Sequence, residues 1–114
     1  MDWISVNKKI NEIFTEDHKQ KVSDFITRLR MLSSGKLTPP TMISRDEYSH
    51  IFRWGVPTSG LGLAFFKDRV YWEIDSGSSG FGSTVEYDGH IPKMLEDCLK
   101  KYYGQNKDFN MVGP

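Results

Sequence analysis

Gly77-Ser78-Ser79-Gly80-Phe81-Gly82 is the stretch of this chain whose residue types come nearest to announcing chemistry. Glycine backbones can turn successive amide N–H groups toward one point, and such a nest binds anions. The phosphate-binding loops ask for more, either a helix opening directly after the glycines or a closing Gly-Lys-Ser/Thr. Neither follows here, so the stretch reads as a connection between strands. Phe81 is its one large residue, which must either pin the loop to the core or meet a ligand.

The nucleophiles and metal ligands are scattered. Cys98 is the only cysteine and falls among Met94, Leu95, Leu99 and Tyr102, the apolar stripe of a helix, so it is expected in the core and unreactive. His18, His50 and His90 fall on three separate elements and one thiol cannot complete a zinc set, so neither a metal nor a cofactor is expected. His90, just before Pro92 and beside Asp88, is explained by a local hydrogen bond. A hydrolase would have to join a loop serine with His50 or His90 and Asp75 or Asp88. The Gly-x-Ser-x-Gly elbow that would expose such a serine is missing, as Gly77-Ser78-Ser79-Gly80 and Gly80-Phe81-Gly82-Ser83 both fail its spacing.

Basic and aromatic residues interleave in Phe52-Arg53-Trp54 and from Phe65 to Trp72. Trp54, Phe66, Arg69, Tyr71 and Phe81 are therefore the candidate binding surface. Phe66, Arg69 and Tyr71 should cluster on one face of a hairpin, where rings beside a cation can stack unpaired bases. Glu73 shares that face, and a helix laid over Gly62 and Ala64 would cover it.

The elements that would position these residues follow from periodicity. Val6, Ile10, Ile13 and Phe14 predict a helix over 6–14 with Ser5 as cap. Glu16 and Asp17 open a second helix over 16–34, lined by Val22, Phe25, Ile26, Leu29 and Leu32 and stopped by Gly35 and Pro39-Pro40. Ser44-Arg45-Asp46-Glu47 has the form of a capping box and predicts a third helix over 45–54. From Leu61 the period changes to two. A turn at Lys67-Asp68 then sets Leu61, Leu63 and Phe65 opposite Ile74, Trp72 and Val70. Residues 76–82 read as loop and 83–87 as a third strand. Pro92 starts a last helix that runs to Gly104, its first turn suited to proline. The expected fold is α+β, in the order α-α-α-β-β-β-α, with a three-stranded antiparallel sheet packed against helices. Residues 1–104 are expected to form one domain and 105–114 a tail.

Composition bounds the function only loosely. The chain has 114 residues, enough for one core, and 15 basic residues balance 15 acidic ones, so no overall field draws it to nucleic acid or an anionic membrane. The single cysteine and the lack of an apolar leader or spanning run point to a cytoplasmic protein. Aromatic residues reach 13%, more rings than a small core readily buries. The expected function is a non-catalytic interaction domain that binds another macromolecule, most readily a protein, as an inhibitor, an immunity-type protein or a virus-encoded accessory protein does. Self-association as a homodimer competes with that reading. A single-stranded nucleic-acid binder and a small hydrolase or ligand-binding enzyme at the glycine-rich loop are the alternatives.

Overall fold

The computed structural model describes residues 2–46, 49–56, 59–76 and 79–104. The chain enters through Asp2, whose carboxylate accepts a hydrogen bond from the Ser5 amide at 2.8 Å and so caps helix α1, Trp3–Ile13. That bond holds the Asp2 carboxyl below the usual carboxylate range. Ser5 is a donor in the first turn, not the cap, and α1 accordingly starts earlier than 6–14. Helix α2, Glu16–Leu32, carries Glu16 and Asp17 at its positive end. It closes where Gly35, at φ 75°, donates its amide to the Arg30 carbonyl.

The expected third helix does not exist. Residues 41–46 and 49–56 are instead strands β1, Thr41–Asp46, and β2, Ser49–Val56, paired antiparallel with Met42 opposite Phe52 and Ile43 opposite Ile51. The reason is visible in the side chains. A helix would throw Trp54 off its apolar face, whereas period two puts His50, Phe52 and Trp54 together on the buried side. Ser44 caps nothing; its hydroxyl meets His50 Nδ1 at 2.8 Å across the two strands. Tyr48, counted toward that helix, lies outside the described residues.

Strand β3, Ser59–Phe65, and strand β4, Arg69–Ser76, pair in the expected register, with Leu61, Leu63 and Phe65 opposite Ile74, Trp72 and Val70. Strand β5, Ser79–Glu86, overturns the reading of 76–82 as loop. Gly80 and Gly82 are paired ladder residues, opposite Asp75 and Glu73. The sheet therefore has five strands in the order β1-β2-β3-β4-β5, all neighbours antiparallel, not three. Helix α3, Lys93–Gly104, completes an α+β fold which, among the described residues, has three helices in the order α-α-β-β-β-β-β-α.

The core forms between the helices and one face of the sheet. Val6 and Ile10 of α1, Phe14 at its C-cap, Val22, Phe25, Ile26 and Leu29 of α2, and Leu95 and Leu99 of α3 join the alternate strand residues Phe52, Trp54, Leu61, Leu63, Phe65, Val70 and Trp72. Phe65 is its centre, with ring centroids of Phe52 at 4.8 Å and of Phe14 and Phe25 at 6.2 Å, all edge-on. Cys98 is only half-buried, packed against this core from α3. No helix among the described residues is long and apolar enough to cross a membrane.

Candidate functional site

Strand residues of the opposite parity point away from the core. Ile43, Ile51, Arg53, Ala64, Tyr71, Glu73 and Asp75 supply none of the residues packed in or against it, so the helices lie on the other side and, among the described residues, nothing covers this face. Its centre is an ion cluster. Arg53 Nη2 stands 3.0 Å from Asp75 Oδ2 and Arg53 Nη1 3.9 Å from Glu73 Oε2, reaching from β2 across β3 to β4. The span is possible because β3 puts Gly62 between them. A Cβ there would stand 3.0 Å from Arg53 Nη1, so the guanidinium lies flat on bare backbone.

The same device recurs beside it. A Cβ on Gly82 would stand 2.4 Å from the Tyr71 hydroxyl, so the Tyr71 ring lies down over β5. Next along the face, the Arg69 guanidinium sits 5.6 Å from the centre of the Phe66 ring, and Arg69 is exposed while Phe66 and Tyr71 are half-buried. The surface is thus a sheet face bearing two rings and Arg69, itself 3.5 Å from Asp68 Oδ1, toward one end and an ion cluster at the middle. Ile51 and Ile43, the latter 44% exposed, lie on the β1–β2 side.

Five residues carried the expected binding surface, and the structure divides them. Phe66 and Arg69 come together on the open face, and Tyr71 shares that face two residues along β4 with its hydroxyl turned toward Gly82 of β5. Trp54 does not join them: it is fully buried, its indole N–H donating to the Thr38 carbonyl that precedes β1. Phe81 is 53% exposed but belongs to the helix-side face of β5, with its ring 5.7 Å from that of Trp72. Arg53, Asp75 and Gly82 were missing from the expected surface. Alternation along the hairpin puts Asp75 on the face of Tyr71, whereas Arg53 and Gly82 lie on the strands to either side, which periodicity and composition read as helix and loop.

Of the pairings a hydrolase would draw on, His50 with Asp75 is kept apart. His50 is buried on the helix side and Asp75 lies on the open face, with the sheet between them. His18 is engaged too. The Tyr87 hydroxyl donates to the Phe66 carbonyl and accepts from His18 Nε2 at 2.5 Å, and burial lowers the His18 pKa below its ordinary value. Burial likewise pushes the Tyr87 phenol up. A groove of about 570 Å³ runs beside α2, lined by Arg28, Met31, Leu32, His90, Ile91 and Glu96. Its cation is spent on structure, as Arg28 donates to the carbonyls of Tyr87 and Gly89 in the turn that leads to α3. Among the described residues no group of three His, Cys, Asp or Glu could hold a metal ion.

Comparison with family models, with curated proteins and with solved structures finds no match for this chain.

Proposed function

We infer that this chain is an interaction domain whose working surface is the open face of the sheet, and that its partner is a protein. The observation that carries the reading is the one-sided helical cover. Among the described residues, a five-stranded sheet with its helices on one face leaves Phe66, Arg69 and Tyr71 beside an ion-paired, net acidic centre, and a broad uncovered sheet face is a surface of the kind that partners bury.

Charge argues for a protein over a nucleic acid. Arg53 faces Asp75 and Glu73, and Arg69, beside the rings, has Asp68 Oδ1 at 3.5 Å and Glu86 directly opposite it on β5. Binding to a phosphate backbone draws on several unneutralised cations and their released counterions. Stacking of unpaired bases on Phe66 and Tyr71 is the competing reading, favoured by the grouping of these rings with Arg69.

The test is retention of a partner from an extract of the native cell on immobilised chain, repeated with Tyr71→Ala and Arg69→Ala. Anchoring side chains cost at least ~2 kcal/mol on truncation, so each variant is expected to lose about thirtyfold in affinity with its thermal midpoint little changed. A retained protein whose binding changes little between low and high salt supports the reading. Retention of nucleic acid with a steep salt dependence would assign the face to bases instead, and full binding by both variants would remove the face from consideration.

A further inference from the structure

The two edges of the sheet are finished differently. On β1 the chain arrives through Pro39-Pro40, and the register with β2 shifts between Ser44 and Asp46. Prolines and bulges of this kind blunt an edge against further pairing. On β5 neither device is found among the described residues. Its ladder with β4 runs without a shift from Glu86, opposite Arg69, to Ser79, opposite Ser76, and no proline or lysine falls within Ser79–Glu86. No strand among the described residues lies beyond it. The helices also stop short of it, since Phe81 and Ser83 are exposed although both point to the helix side.

We propose that β5 pairs antiparallel with β5 of a second copy of this chain, about a two-fold axis at Ser83, to make one continuous ten-stranded sheet. Such a pair closes on itself, as isologous contacts do. The sequence of the strand selects both the occupant and the register. An axis at Ser83 sets Phe81 of each copy directly opposite Val85 of the other on the helix side, an aromatic against a β-branched residue, which is a favoured cross-strand pair. On the open side the same register sets Gly80 opposite Glu86 and Gly82 opposite Thr84, so no like charges meet. Moving the axis to Gly82 puts Phe81 against Ser83. Moving it to Thr84 puts Ser83 against Val85 and Gly82 against Glu86, and loses the ring's apolar partner within the strand. The pairing leaves the Phe66, Arg69 and Tyr71 surface untouched, so it stands independently of the function proposed above.

Molar mass by light scattering on the full chain, across a dilution series, is the first measurement. It is expected to give twice 13.2 kDa at high concentration. Phe81→Lys changes an exposed side chain and should leave the circular dichroism and thermal midpoint of the monomer intact. It is expected to weaken the dimer by about thirtyfold or more, since the anchor is lost on both copies. Position 83 reports the register separately. Directly opposed Cβ atoms stand about 5 Å apart, close to the disulfide range, so Ser83→Cys should oxidise to a covalent dimer joined 83 to 83 in peptide maps, and Ser79→Cys should not. A monomer at every concentration, a dimer indifferent to Phe81→Lys, or equal cross-linking from positions 79 and 83 would each overturn the proposal. Loss of dimer with partner capture intact would leave the function proposed for the open face standing.

Discussion

The two faces of the sheet are built from alternate residues of the same strands, yet different forces hold them. On the helix side seven strand residues, among them Trp54, Leu63 and Trp72, are buried to 2% exposure or less, and stability there scales with the apolar area taken out of water. On the open side the ordering comes from side chains laid flat on glycine and from an ion pair in contact with solvent, at 22% exposure for Arg53 and 15% for Asp75. Contacts of the second kind add little to folding. The difference separates two tasks: the covered face carries the fold, and the open face can be shaped for recognition at small cost to it.

Substitutions on either side test that division. Trp72→Ala removes a ring that is 2% exposed and should cost roughly 3–5 kcal/mol in denaturant unfolding, the largest effect expected here. A cost near zero would break the assignment of the helix side as the stabilising face. Gly82→Ala on the open side should cost less, about 1–3 kcal/mol, because the new methyl meets both the Tyr71 hydroxyl and the Trp72 carbonyl and forces one to move. Combined with Tyr71→Ala its cost should fall, so that a double-mutant cycle shows coupling between the two positions. Additive costs would mean that the ring does not depend on the missing side chain.

Arg53→Met is expected to lower stability by about 1 kcal/mol or less, since it keeps the aliphatic stem over Gly62 and loses a partly solvated pair. A loss as large as that of Trp72→Ala would contradict the comparison outright. The smallest effect belongs to pH. His18 has a folded pKa below its ordinary 6.5 because burial disfavours the charged ring, so the unfolded chain binds the extra proton first. Stability should hold above about 6.5 and decline as pH falls from there through the folded pKa, a slope that His18→Gln should reduce in thermal melts.

Legibility in the sequence did not follow that division. The helices α2 and α3 and the β3–β4 pairing could be read directly, because each presents a single repeating apolar pattern with clear stops. Ser44-Arg45-Asp46-Glu47 misled because a capping box is a local signal, whereas the strand at 49–56 is held by pairing on both sides, with β1 and with β3, and by the burial of Phe52 and Trp54. Gly80 and Gly82 misled for a related reason: a strand glycine under a neighbour's side chain has the composition of a loop until the neighbour is known. Trp54 was expected outside because it was placed on a helix. Phe66, Arg69 and Tyr71 were found because strict alternation within one hairpin fixed their face. Arg53 and Asp75 were not, since their meeting depends on the strand between them.

The order of the strands bears on how the chain reaches this state. Every strand pairs with its neighbour in sequence, so each step of the sheet is a hairpin that closes a short loop, and such local closures are the rapid ones. The helices α1 and α2 come first in the chain but find their apolar surface only when β2, β3 and β4 have formed. Their exposed stripes, Val6 and Ile10 on one and Val22 to Leu29 on the other, must therefore wait during synthesis for strands made later. Stopped-flow refolding should then place the late, rate-limiting event in the docking of the N-terminal helices, with Val22→Ala slowing folding less than it speeds unfolding.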